Sequence, residues 1–278
     1  MISVVGGGRM GAGIAQVLAT AGHDVVIAER DAQAATAALD RVRIGLQRAA
    51  ERAMLDGDPE TLAARVTTVV DIAALPTDSD LLIEAVAEDA HLKREVLTAA
   101  EAVVQPGCLL ATNTSSLSVE ELAASLRYPT RFLGMHFFNP VPVSALVEVV
   151  VGTLTSDDTV ARAADLVDEL GKRHIVVRDS PGFATSRLGV LLGLEAIRML
   201  EEGIADAQDI DTAMELGYRH PMGPLRSTDL VGLDVRLAIA EHLSHTLGER
   251  FTPPALLHDK VARGELGRKS GKGFYEWT

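Results

Sequence analysis

The sequence predicts an α/β chain in two parts: a doubly wound, mostly parallel sheet covered by helices over 1–179, then a smaller all-helical domain over 180–278. Three observations predict it. The N-terminus runs an apolar strand, Ile2-Ser3-Val4-Val5, straight into Gly6-Gly7-Gly8-Arg9-Met10-Gly11 and a helix. Short apolar runs then alternate with amphipathic helical stretches as far as Val177. Past Asp179-Ser180-Pro181-Gly182 the strand pattern vanishes and long helical runs take over.

The glycines carry a specific expectation. Gly6 permits a tight turn, Gly8 lets backbone approach a ligand, and Gly11 lets the helix sit close to the strand, so that N–H groups at the helix start face an anion. A second apolar strand, Asp24-Val25-Val26-Ile27-Ala28, ends at Glu29, about 20 residues on, where an acid binds adenosine ribose hydroxyls. Strand, turn, helix, strand and acid in this order form a Rossmann-type pattern, against the competing reading of a glycine turn without a ligand. Gly6, Gly7, Gly8, Arg9, Met10, Gly11 and Glu29 are thus candidate dinucleotide contacts.

Helical periodicity follows over Ala32–Met54. Strands are expected at Val66–Val70, Leu81–Ala85, Leu109–Thr112, Phe132–Met135, Leu146–Val150 and Ile175–Val177, and helices at Leu92–Val104, Val119–Leu126 and Thr159–Leu170. Ser156-Asp157-Asp158 suits the start of the last helix and Gly171 its end. In the second part, helices are expected over Phe183–Glu202, Ala207–Leu216, Leu230–Leu247 and Pro254–Arg263. The first of these, with Leu188, Leu191, Leu192, Ile197 and Leu200, is apolar enough to be buried between domains or against a second subunit.

Bulk properties narrow the function. The 278 residues are 47% hydrophobic and 23% charged, the balance of an ordinary globular protein. A formal net charge of −13 argues against a nucleic-acid partner, and any anionic ligand must be met by local basic groups and helix N-termini. Cys108 is the only cysteine; it reads as a packed strand residue rather than a nucleophile, and a reducing compartment is consistent with it. With no signal-peptide pattern at the start and no apolar run of about 18 residues, a cytoplasmic protein without a membrane partner is expected. His242 and His245 lie three apart on an expected helix but lack a third ligand, so no metal is expected.

Ligands of such sheets bind outside the carboxyl ends of the strands. Two polar segments fall there: Asn113-Thr114-Ser115-Ser116-Leu117 and His136-Phe137-Phe138-Asn139-Pro140. His136 is the candidate acid–base group, because imidazole takes and returns a proton near neutral pH. Glu148, inside the apolar run Leu146-Val147-Glu148-Val149-Val150, is either its orienting carboxylate or a solvent-facing residue of an edge strand.

The combination of GGGRMGAGIA, Glu88 after Ile83-Glu84-Ala85-Val86-Ala87, NTSSL, HFFNPVP, LVEVV, SPGF, HPMGP and the terminal GRKSGKGFYEW resembles the L-3-hydroxyacyl-CoA dehydrogenase family, in its short bacterial 3-hydroxybutyryl-CoA form. The resemblance runs from Ile2 to Trp277. It implies an NAD-dependent oxidoreductase acting on acyl-CoA thioesters, and a homodimer formed through the helical domain. It also implies that His136 is the base, Glu148 its partner, and Ser115 and Asn139 contacts of the substrate hydroxyl and nicotinamide end. Glu88, Lys93 and Lys269 match cofactor positions.

Two departures stand out. Ser186 occupies the asparagine position of the family's P-G-F-x-x-N-R, which shortens a carbonyl-polarising side chain, and Glu29 replaces an aspartate at the ribose position with Arg30 beside it. The helix with Arg41, Arg43, Arg48 and Arg52 is a candidate for holding the phosphates of coenzyme A, with a solvated face paired to Asp40 and Glu51 as the equal alternative. Lys269 and Lys272 belong to a terminal loop that either closes over the cofactor or is simply flexible. Two other functions compete: a dehydrogenase of a 3-hydroxy acid without CoA, such as a sugar acid or carnitine-like compound, and a dinucleotide-binding structural or regulatory protein of low turnover.

Overall fold

The computed structural model describes residues 1–277 and divides between Ser180 and Pro181 into two compact units. The first contains β1 (Ile2–Val5), α1 (Arg9–Thr20), β2 (Val25–Ala28), α2 (Ala32–Glu51), α3 (Pro59–Ala63), β3 (Val66–Val69), β4 (Leu81–Glu84), α4 (Ala90–Val103), β5 (Leu109–Thr112), α5 (Val119–Ala123), β6 (Phe132–Phe137), β7 (Leu146–Val151), α6 (Asp157–Glu169) and β8 (Arg173–Arg178). They form one eight-stranded sheet in the order β3-β2-β1-β4-β5-β6-β7-β8. All neighbours are parallel except β6 and β7, so β7 and β8 run against the other six. The strand order reverses between β1 and β4, which opens a crevice at their carboxyl ends.

Val4, Ile27, Ile83, Ala111, Met135 and Val149 from the strands pack with Ile14 and Leu18 of α1 and Val42 and Leu46 of α2. Burial on both faces explains why β1, β2, β4 and β5 are almost wholly apolar, with Ser3, Glu84 and Thr112 the exceptions. The helix starts differ in one respect. Asp31, Asp58, Asp89, Ser118 and Ser156 cap α2, α3, α4, α5 and α6 with their side chains, whereas α1 starts after Gly8 with no side-chain cap. Its first N–H groups are left for another acceptor.

The second unit contains α7 (Thr185–Glu201), α8 (Ala207–Gly217), α9 (Pro224–Val231), α10 (Leu233–Leu247) and α11 (Ala255–Ala262), around a core of Val190, Leu194, Ile197, Leu225, Leu233, Leu243 and Phe251. The sequence reading had one helix over Leu230–Leu247. The structure breaks it at Gly232, where φ is 103°, a conformation glycine takes without strain. Helix α9 escaped notice because its polar run Arg226-Ser227-Thr228-Asp229 hides the apolar face. Asp229 is buried there and accepts bonds from Phe274 N at 2.8 Å, Tyr275 N at 2.9 Å and Trp277 Nε1 at 2.7 Å. The terminal segment is therefore clipped to α9, not loose. Among the described residues no helix is long and apolar enough to cross a membrane.

Candidate active site

The glycine loop is held by sterics. Gly6 has φ 93°, and a β-carbon on Gly11 would stand 1.8 Å from Gly6 O, so α1 reaches β1 only because Gly11 has none. Gly8 has nothing within 4 Å of that position, which leaves the loop open toward a ligand. Glu29, at the end of β2, accepts from Gly7 N at 2.7 Å, and Arg41 of α2 donates to Gly7 O at 3.1 Å. Arg30 turns away to Asp31, at 3.2 Å. An uncapped helix start, a glycine loop without side chains and a fixed carboxylate about one strand away fit the pyrophosphate and ribose of a dinucleotide.

Next to this loop, a cleft of about 350 Å³ is lined by Met10, Ala85, Val86, Glu88, Asn113, Ser115, His136, Phe137, Phe138 and Asn139. Strand β6 extends through Phe137, so His136 lies inside the strand rather than just after it, and register sets it directly opposite Glu148 of β7. The Nδ1 to Oε2 distance is 2.7 Å, with His136 7% and Glu148 0% exposed. The solvent-facing alternative for Glu148 is ruled out, since β7 has β6 on one side and β8 on the other. Phe138 tilts against the imidazole, with ring centroids 4.4 Å apart.

Glu88 organises the Asn113–Leu117 turn. Its Oε1 accepts from Thr114 Oγ1 at 2.6 Å, Ser115 N at 2.8 Å, Ser115 Oγ at 3.2 Å, and Ser116 N and Oγ at 3.0 Å each. A serine hydroxyl that donates in this way keeps acceptor capacity for a ligand. Beneath it lies a buried charge network that sequence reasoning missed. Lys93, 1% exposed, donates to Glu84 Oε1 at 2.7 Å and stands 3.4 Å from Glu88 Oε2. Thr112 donates to Glu84 Oε2 at 2.6 Å. Lys93 therefore meets the cleft through Glu88 rather than directly. Asn113 Oδ1 accepts from Phe137 N at 3.0 Å, tying the ends of β5 and β6. Lys172 donates to Val141 O at 2.7 Å and Ser144 O at 2.6 Å, pinning the loop after β6, and burial lowers its pKa. Its only sequence signal was a lysine at the foot of an apolar strand.

Burial pushes the Glu88 carboxyl up, but the Thr114, Ser115 and Ser116 hydrogen bonds together with Lys93 outweigh it and hold the group below its usual range. A lowered folded-state pKa contributes stability that is full above the ordinary carboxylate value and is lost as pH falls through the lowered one. Glu88→Gln should thus lower Tm at neutral pH, and the gap to wild type should close below about pH 4 in thermal melts across a pH series. A gap as wide at about pH 3 as at neutrality would contradict this.

Burial raises the Cys108 thiol to about 12, so it stays protonated. Arg48 and Arg52 lie exposed at the end of α2. Ser186 and Lys269 belong to the helical unit. Ser186 is in the first turn of α7, and Lys269 pairs with Asp234 at 2.6 Å.

Comparison with known proteins agrees with this geometry. Residues 1–180 match the family model of the 3-hydroxyacyl-CoA dehydrogenase NAD-binding domain, and 182–277 that of the C-terminal domain. A probable 3-hydroxybutyryl-CoA dehydrogenase of Deinococcus radiodurans is 40% identical, covering 99% of both chains. The 3-hydroxybutyryl-CoA dehydrogenase of Mycobacterium tuberculosis is 41% identical over 99% of this chain and 98% of its own. The crystal structure of (S)-3-hydroxybutyryl-CoA dehydrogenase PaaH1 from Ralstonia eutropha superposes with a TM-score of 0.93 at 39% identity, covering 100% of this chain and 98% of that one. With both domains matched in order, the chain belongs to the 3-hydroxyacyl-CoA dehydrogenase family of NAD-dependent oxidoreductases.

Proposed function

We propose that this chain interconverts (S)-3-hydroxyacyl-CoA, foremost 3-hydroxybutyryl-CoA, and the corresponding 3-ketoacyl-CoA. The observation that carries the reading is the buried His136–Glu148 pair, 2.7 Å apart, on the wall of a cleft beside the uncapped start of α1. Glu148 holds Nδ1, so His136 takes the 3-hydroxyl proton on Nε2 and returns it in the reverse direction. NAD+ supplies the hydride acceptor when bound along the glycine loop. Ser115 and Asn139 orient the hydroxyl, and Glu88, backed by Lys93, fixes the turn that carries Ser115. Ser186 is assigned to the substrate carbonyl, its shorter reach completed by a bridging water. Lys269 is assigned to the cofactor on the family match alone. Glu29 disfavours a 2′-phosphate, and Arg30 is engaged by Asp31, so NAD is the cofactor over NADP.

The relatives' names favour a thioester over a free 3-hydroxy acid, and the assembled His136–Glu148 pair favours turnover over a purely structural role. Reduction of acetoacetyl-CoA with NADH, faster than with NADPH and faster than reduction of free 3-keto acids, is the expected result; no reduction of the thioester would end the proposal. Arg48 and Arg52, exposed on the outer end of α2, are assigned to the coenzyme A phosphates. Reversing both to glutamate should raise the acetoacetyl-CoA KM about tenfold or more with little change in the NADH KM, and an unchanged thioester KM would reject the assignment. We also assign the homodimer to the helical unit, which exposes Leu188, Leu191, Leu216 and Tyr218. A cytoplasmic location suits the single reduced cysteine.

A further inference from the structure

A buried lysine that the reaction does not use directly stands behind the loop after β6. Lys172, between α6 and β8, is 8% exposed, and among the described residues no carboxylate pairs with it. Its ammonium donates to Val141 O at 2.7 Å and Ser144 O at 2.6 Å. A cation kept out of water by carbonyl dipoles is costly, and an apolar side chain would fill the same space without that cost. Packing therefore does not explain a lysine here.

The loop needs donors from outside itself. Pro140 and Pro142 have no N–H, and the N–H groups of Val143 and Ser144 both donate to Pro140 O, at 3.0 Å each. The carbonyls of Val141, Ser144 and Ala145 are met instead by Lys172 Nζ and by the N–H of the adjacent Arg173, which lies 2.6 Å from Ala145 O.

The residue at the head of this loop is Asn139. It lines the cleft with His136, and with Ser115 it is assigned above to orienting the substrate hydroxyl. Its backbone is anchored on both sides. Two residues before it, Phe137 N donates to Asn113 Oδ1 at 3.0 Å, and two residues after it, Val141 O accepts from Lys172. Val141 is 2% exposed and packs on α1, where a β-carbon on Gly13 would stand 3.0 Å from Val141 Cβ. Without the ammonium, the second anchor keeps its packing but its buried carbonyl loses its donor. A group that orients a reacting hydroxyl tolerates little displacement, because a shift of about 1 Å costs on the order of 100-fold in rate.

We propose that Lys172 is a positioning residue for the dehydrogenase reaction, holding Asn139 at the reacting hydroxyl through the carbonyls of Val141 and Ser144. Lys172 does not line the cleft, so it acts through Asn139 rather than on substrate or cofactor. The inference rests on the acyl-CoA reading of the site and on the role given there to Asn139.

The test is a double-mutant cycle on the full chain with acetoacetyl-CoA and NADH, with kcat expressed per NADH-binding site counted by fluorescence titration. Lys172→Met, similar in length but without donors, is expected to lower kcat about 10- to 100-fold, with the thioester KM and the NADH dissociation constant within about threefold of wild type. Asn139→Ala is expected to lose at least as much. Introduced into Asn139→Ala, Lys172→Met should cost less than about threefold more, since no amide remains to be placed. Losses that multiply, losses confined to KM, or fewer sites at unchanged kcat per site would each overturn the proposal, the last by assigning Lys172 to stability alone. Lys172→Gln serves if Lys172→Met fails to fold. Its amide ends one bond short of the Nζ position, so kcat should fall severalfold and that loss should disappear in Asn139→Ala; a glutamine variant with wild-type kcat would overturn the proposal as well. Wild-type kcat in Asn139→Ala would defeat the role given to Asn139, and failure of wild type to reduce the thioester would defeat the acyl-CoA reading itself, each taking the inference with it.

Discussion

His136→Ala is expected to lower kcat for acetoacetyl-CoA reduction by about 100- to 10,000-fold, the range that a positioned general acid–base group contributes. The NADH dissociation constant should remain within about twofold of wild type, because the groups assigned to the dinucleotide, on the glycine loop and the start of α1, at Glu29 and Glu88, on the Asn113–Leu117 turn and at Lys269, all lie off β6. The argument is geometric. Strand register sets the imidazole opposite Glu148, and a 2.7 Å bond from Nδ1 fixes the ring's orientation. Phe138 and the strand backbone restrict it further. Stopped-flow turnover and fluorescence titration of NADH on one preparation separate the two effects. An alanine variant with wild-type turnover would remove His136 from the chemistry.

The second large effect is expected at Gly11. A valine there cannot coexist with Gly6 O, which lies 1.8 Å from the first added carbon, so α1 must move away from β1. The glycine loop and the start of the helix move with it. Overpacking of this kind costs about 1–3 kcal/mol or more, and displaced N–H groups no longer meet a pyrophosphate. Gly11→Val should lower Tm and reduce NADH affinity by about 100-fold or more. Gly8→Ala provides the contrast. Its β-carbon meets nothing within 4 Å in the protein, so Tm should hold while NADH affinity falls, since the methyl occupies the ligand's approach. Equal Tm losses in both variants would mean that the loop's glycines serve folding alone.

Much of this site was legible in the sequence because backbone geometry demands particular residues. The Gly6–Gly11 pattern followed by Glu29 has few other uses, and the His136 and Glu148 segments stood out as polar groups in apolar strands. Which way Glu148 faced was not legible. In a sheet buried on both sides, neighbouring positions are apolar alike, and only the β6–β7 register decides. The Glu84–Lys93 pair was hidden for a related reason: Glu84 closes an apolar strand and Lys93 sits in an ordinary helical pattern, so neither betrays burial. Lys172 is similar. A buried cation looks like a surface one until its surroundings are known. The break at Gly232 was missed because glycine inside a helical pattern is often tolerated.

The central claim is that His136 and Glu148 act as one unit, and a double-mutant cycle on kcat tests it most directly. Glu148→Gln alone should cost about 100-fold or more. The His136→Ala/Glu148→Gln double variant should then be no more than about threefold slower than His136→Ala, because a carboxylate that works only through the imidazole has nothing left to orient. Losses that multiply across the cycle would show that the two side chains contribute separately, and would contradict the account.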